Sequence, residues 1–381
     1  MTEDRGASIP DPPRPSEVAP SASPSDGRRV IVLPPRTVRE PAIAEFDPAH
    51  VASHEPVYYV TPIRRRVRLP VILFLVTAVS TYWAGATGRT LDGPVEIYKL
   101  VTSPGDVLFQ WKAPLPVSSK AGLPAAVLNF LQDEKSKDLL VVALRDGLQY
   151  MAAVMAILLA HELGHFFQAV RYGIPASLPF FIPMPLTPLG TMGAVIAMRG
   201  SQANRLELFD IGISGPLAGL VVAIPVAWFG IATATTTGNP TYLHDPLIMR
   251  LMVDYLHPEL RPGEVLAWNP LYMAGWVGML ITGLNMMPIS QLDGGHISYA
   301  LWGKRAHLLA RGVVLAAVVF ILAQDQYTWA IMLALVVYLG TDHPRTADDY
   351  VPLGIWRRVL GWASFVIPVL CFIPVPMRLP V

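Results

Sequence analysis

Between Val265 and Leu292 the chain runs for 28 residues without one charged side chain. Such a run is long enough to cross the hydrocarbon core of a bilayer as a helix, which takes about 20 apolar residues. Leu69 to Gly88 and Ile211 to His244 are equally free of Asp, Glu, Lys and Arg. Composition agrees, since 52% of the 381 residues are hydrophobic and 15% charged, where a soluble domain carries about a quarter charged residues. A net charge of +1 leaves no global basic field to hold nucleic acid, so no nucleic-acid partner is expected. One cysteine, Cys371, excludes an internal disulfide and a Cys-based zinc site, and leaves any metal to His, Asp and Glu.

Residues 1–60 are rich in Pro, Ser, Ala and charge without period, and are expected to form a disordered Pro-rich tail. Residues 61–138 then hold a first transmembrane helix and an external loop. Arg64, Arg65, Arg66 and Arg68 directly precede that helix, which by the positive-inside rule puts the N-terminus in the cytoplasm. Further spans are expected over 139–172, 211–244, 265–292, 306–323, 326–340 and 359–377. Tyr172 to Met198 is also uncharged, yet it carries Pro175, Pro179, Pro183, Pro185 and Pro188, and interior prolines break a helix. Its end, LGTMGAVIAMRG, reads as strand. The expected fold is an all-α polytopic membrane protein of six to seven transmembrane helices, with a small membrane-associated β segment between helices two and three. Arg171, Arg199 and Arg205 on one side, against Asp245, Asp254, Glu259 and Glu264 in the 245–264 loop, give the same orientation.

The second span ends in HELGH. His161 and His165, four residues apart, lie on one helical face and can address one ion, with Glu162 beside them as general base. Three protein ligands and a water, whose pKa falls to about 7, are the usual catalytic zinc arrangement. A third ligand is available in Asp293, which follows the uncharged run on the same membrane side once Pro288 ends the helix. Gly294 and Gly295 let the backbone turn there.

These residues resemble the site-2 protease family of intramembrane zinc metalloproteases, peptidase family M50. HExxH stands at His161 to His165, and the later Asn-x-x-Pro-x-x-x-Leu-Asp-Gly pattern at Asn285, Pro288, Leu292, Asp293 and Gly294. SGPLAG, Ser214 to Gly219, is similar to the family's middle core helix. GTMGAVIA resembles the strand segment of the branch without a PDZ domain that includes plant chloroplast homologues.

The resemblance implies one zinc per chain, held by His161, His165 and Asp293, with Glu162 as catalytic base and Asn285 beside substrate. It makes 139–305 the catalytic core and 306–381 a set of C-terminal transmembrane helices. The expected activity is cleavage of transmembrane segments of membrane-protein substrates within the lipid bilayer, as in regulated intramembrane proteolysis. An unwound substrate would add to a strand edge at Gly190 and Gly193. The expected location is a bacterial cytoplasmic membrane, with N-terminus and active site toward the cytoplasm. An inert membrane scaffold and a metal-binding transport protein are the alternatives. The intact Glu162 speaks against the first, and a single ion site without an inverted repeat against the second.

Overall fold

The computed structural model describes residues 67–87 and 134–376, apart from 186, 188, 199–201, 238–242, 262–263 and 290. The tail expected over 1–60, the arginines at 64–66, Arg199 and most of the expected external loop lie outside the described residues. Ten helices are described: α1 Arg68–Thr87, α2 Glu134–Arg171, α3 Arg205–Ala232, α4 Leu247–Leu256, α5 Pro270–Asn285, α6 Asp293–Trp302, α7 Arg305–Ala323, α8 Ala330–Leu339, α9 Gly354–Ser364 and α10 Val366–Cys371. Two hairpins accompany them, β1 Phe180–Met184 with β2 Gly190–Val195, and β3 Thr236–Thr237 with β4 Val265–Leu266.

Five described helical segments are long and apolar enough to cross a membrane: Arg68–Thr87, Leu140–Arg171, Arg205–Ala232, Arg305–Ala323 and Gly354–Cys371. Two expected spans differ. Over 265–292 the helix α5 has only 16 residues, about 24 Å at the helical rise. Asn269 caps its start by accepting from Tyr272 N, and Pro270 occupies its first turn, so the residues before it pair as β4 instead. Over 326–340 a short 3-10 turn leads into the ten residues of α8, about 15 Å. The 245–264 loop also contains α4, which buries Met249 and Met252 and exposes Leu247, Leu251 and Tyr255.

The centre is built from α2, α3 and α5, brought together by residues too small to keep backbones apart. A Cβ on Gly275 would lie 2.6 Å from Ala227 Cα, and one on Gly278 3.0 Å from Ile157. On the far side of α2, Gly85 of α1 faces Tyr150, and Gly147 faces Tyr82.

The proline-rich stretch forms the expected strand segment. β1 and β2 pair antiparallel with a bulge between Ile182 and Pro183, where proline has no N–H to give the ladder. Thr191, fully buried, closes the bulge: its hydroxyl donates to the Ile182 carbonyl at 3.0 Å and accepts from Gly193 N–H at 3.0 Å. The turn of this hairpin meets α1 at Ser80, twelve residues into that helix, or about 18 Å along it. Carbonyls at such depth need donors. Ser80 Oγ donates to Gly190 O at 2.6 Å and Tyr150 OH to Leu189 O at 3.0 Å. Gly190 is required on two counts, a φ of +72° and a position where a Cβ would lie 2.6 Å from Thr81 Cα.

At the other end of the bundle, Tyr272 OH donates to Asp245 Oδ2 at 2.7 Å, while Asp245 Oδ1 is buried without a partner among the described residues. Burial pushes this carboxyl up to about 6. The folded protein therefore holds the proton more tightly than the unfolded chain, whose carboxyl titrates near 4. Stability falls as pH rises from about 4 to about 6 and stays lowered above that window.

Two outcomes are expected from thermal unfolding in detergent. Gly190→Ala loses about 1–3 kcal/mol, the usual cost of a strained backbone position; an unchanged midpoint would refute the close seating on α1. Asp245→Asn removes the pH-dependent penalty, so its midpoint exceeds that of wild type at pH 7.5 but not at pH 4. Equal pH profiles for the two proteins would show that Asp245 is not the group responsible.

Candidate metal centre

α2 carries His161 and His165 four residues apart on its inner face, and α6 opens at Asp293. Asp293 arrives there because α5 stops after Asn285, and a turn over 286–292 brings the chain back. An aspartate in the first turn of a helix is also favoured by the helix dipole. Asp293 Oδ2 lies 3.0 Å from His161 Nε2, and Oδ1 3.2 Å from His165 Nε2. The ligand atoms of this trio all fall within 4.8 Å of one another. The two histidines and Glu162 are 3–6% exposed.

The chemistry of the set suits zinc. Two imidazoles and one carboxylate are borderline donors of the kind it takes, and ligands at about 2.1 Å around a tetrahedral ion sit about 3.4 Å apart, close to the spacings observed. His165 Nδ1 donates to the Ile211 carbonyl at 2.7 Å. This fixes the tautomer in which Nε2 is unprotonated and free to ligate.

α3 makes room for both rings. A Cβ on Gly215 would lie 2.0 Å from His165 Nε2, and one on Gly219 3.1 Å from His161 Nδ1. Their i, i+4 spacing matches that of the histidines they face. One turn earlier, Gly212 abuts α6, where a Cβ would come 3.0 Å from His296 Cβ. Pro216 lies inside α3 and leaves the Gly212 carbonyl without its helical donor. The neighbouring Ile211 carbonyl serves His165 and also Ser214 Oγ, at 2.8 Å.

The remaining expected residues fall at different distances from the centre. Asn285, on the last turn of α5, has its Nδ2 3.3 Å from His161 Nε2. The Glu162 carboxylate receives a backbone hydrogen bond from Ile196, just beyond β2. Gly193, with φ +115°, meets nothing nearer than Ile281 at 3.9 Å on the side a Cβ would occupy. Gly190, at the start of β2, packs instead against Ser80 and Thr81 of α1. Two features lay beyond sequence reasoning, the Ile211 carbonyl and the glycine face of α3. Only the glycines carried a usable pattern, the matched spacing of Gly215 and Gly219.

Fold and geometry together bring an HExxH pair and a carboxylate from a second helix into one cluster, among helices long and apolar enough to cross a membrane. Residues 149–323 match the family model described as Peptidase family M50. Among curated relatives, the protein named "Probable zinc metalloprotease EGY2, chloroplastic" of Arabidopsis thaliana is 27% identical over 225 residues, 56% of this chain and 40% of the relative. "Probable zinc metalloprotease EGY1, chloroplastic" of the same plant is 27% identical over 324 residues, 81% of this chain and 53% of the relative. The protein of that EGY1 name in Oryza sativa subsp. japonica is 27% identical over 288 residues, 68% of this chain and 47% of the relative. The chain thus spans about half the length of these relatives or less. No solved structure matches it.

The expected outcome for Gly215→Ala is protein that retains little zinc after purification, because the new methyl occupies the place of the His165 ring. Gly312→Ala is the control, since a Cβ there meets nothing within 4 Å. Metal analysis showing full zinc in both would contradict the assigned contact.

Proposed function

We propose that this protein is an intramembrane zinc metalloprotease that cleaves transmembrane segments of membrane-protein substrates. The observation carrying this reading is the convergence of His161, His165 and Asp293 from two helices, with the buried Glu162 beside them. The first three would hold the metal. A zinc ion there supplies Lewis-acid polarisation and a water acidified to a pKa of about 7. Glu162 takes a proton from the attacking water and later delivers it to the leaving amine. The Ile196 N–H orients that carboxylate, and Asn285 lies where it can donate to the scissile carbonyl oxygen as charge develops.

A transmembrane substrate must unwind before its carbonyls are accessible, and the freed backbone groups then need partners. The strand β2, which ends beside Glu162, offers an extended edge for this. Gly193, open on its Cβ side, is the position where a substrate backbone can come closest. Gly190 contributes by seating the hairpin on α1.

The protein is a multi-pass membrane protein. The relatives are named chloroplastic, so the comparisons lend no support to a bacterial cytoplasmic membrane. The positive-inside arginines still favour a site on the N-terminal side of the bilayer.

The test is cleavage of a single-span substrate by purified protein in detergent. Glu162→Gln should cut by a factor of about 10²–10⁴ less, the usual worth of a general base, with zinc content unchanged. Undiminished cleavage by that variant would remove Glu162 from the mechanism.

A further inference from the structure

Beyond α8 an irregular strap, residues 341–353, runs against the start of α3 and against α6. It lies outside the stretch 149–323 that matches the family. Its backbone is tied to the start of α3, with Ala347 N donating to Ala203 O at 2.8 Å and Arg205 N to Asp348 O at 3.0 Å. Immediately after it, Arg357 of α9 makes a two-pronged ion pair with Asp210 of α3, Nε to Oδ1 at 2.7 Å and Nη2 to Oδ2 at 2.9 Å.

Within the strap His343 is buried, 6% exposed, and reaches α6. Its ring stacks on Tyr299, with centroids 4.5 Å apart and planes 20° from parallel. Tyr299 OH in turn donates to Asp349 Oδ2 of the strap at 3.0 Å. His343 Nδ1 faces the Pro344 carbonyl at 2.5 Å, and its Nε2 faces His296 Nδ1 at 2.7 Å. A carbonyl only accepts, so His343 Nδ1 carries the proton and its Nε2 is the acceptor. His296 Nδ1–H is then the donor. The chain of bonds has one consistent direction, from α6 into the strap.

His296 is one turn after Asp293 and on the same face of α6. The other boundary of that face is α3, where a Cβ on Gly212 would lie 3.0 Å from His296 Cβ. Leu292, which caps α6, gives no side-chain hydrogen bond. The first turn of α6 is thus held on one side by Gly294 against the Met286 and Met287 carbonyls and on another by the strap's grip on His296.

We infer that His343 is a positioning residue for the metal centre: through its hydrogen bond to His296 it fixes the first turn of α6, and thereby the Asp293 carboxylate, against His161 and His165. This rests on the reading of those three residues as the metal site. Partners of this outer kind typically contribute about 10–100-fold in metal affinity.

The experiment is zinc affinity by chelator competition on the purified full-length protein, with thermal unfolding of the zinc-free forms alongside. His343→Ala should bind zinc about 10–100-fold more weakly. His343→Gln, whose amide oxygen can replace Nε2 as acceptor for His296, should restore most of that loss. Tyr299→Phe, which keeps the ring stack and removes the bond to Asp349, should weaken zinc binding more mildly. It serves as the test if the Ala variant does not fold. Wild-type affinity in both His343→Ala and Tyr299→Phe would overturn the inference. So would a Gln variant as weak as Ala with both zinc-free forms melting well below wild type, which is the mark of a merely structural residue. A wild type that binds no zinc overturns the inference together with the metal site. A wild type that binds zinc, responds to these variants as stated and cleaves nothing sustains it while removing the protease reading.

Discussion

Two imidazoles can point into the middle of a membrane protein only if the facing helix gives up its side chains there. α3 does so at Gly215 and Gly219, which stand at the same interval as His165 and His161. The fit is specific to the point that a single methyl at Gly215 would overlap the His165 ring. Burying polar rings without partners costs several kcal/mol in an apolar surrounding. The same helix also supplies the compensation, since its Ile211 carbonyl accepts from His165 Nδ1. One segment, Ile211 to Gly219, thus sets the position and the tautomer of the site. The remainder of the core is arranged so that α3 can come this close, through Gly275 and Gly278 of α5.

The same requirement that buried polar groups find partners explains the hairpin between α2 and α3. A strand pair at membrane depth leaves carbonyls that lipid cannot satisfy. At its turn they are met by hydroxyls from α1 and α2, Ser80 and Tyr150, and inside the bulge by Thr191. The stretch just past the other end of β2 donates to Glu162. The hairpin is thus sealed at its tip and meets the metal trio's neighbour Glu162 at its other end.

The sequence was informative wherever a local pattern has one physical cause. Charge-free length located α1, α2 and α3, and the prolines of 172–198 excluded a helix. It was uninformative where length competes with capping. Over 265–292 an apolar window looks continuous, but Asn269 and Pro270 start the helix late and Pro288 ends it early, which leaves 16 residues. The loop after α3 shows the converse. Its charges suggested a plain polar connection, yet residues 247–256 form an amphipathic helix whose apolar side includes Met249 and Met252. Long-range partners such as Ile211 O for His165, or His343 for His296, have no spacing at all along the chain.

The short α5 follows from what the site demands. A carboxylate must reach the level of His161 and His165 from a separate element, and a helix that continued through 293 would carry Asp293 past them. Ending α5 at Asn285 keeps that amide 3.3 Å from His161 and leaves seven residues to turn the chain. Gly294 then sits so close to the Met286 and Met287 carbonyls that any larger residue would push α6 away. The helix, about 24 Å long, ends beside His161. The strap at 341–353 adds a further hold on α6, which packs against α3, α7 and α9.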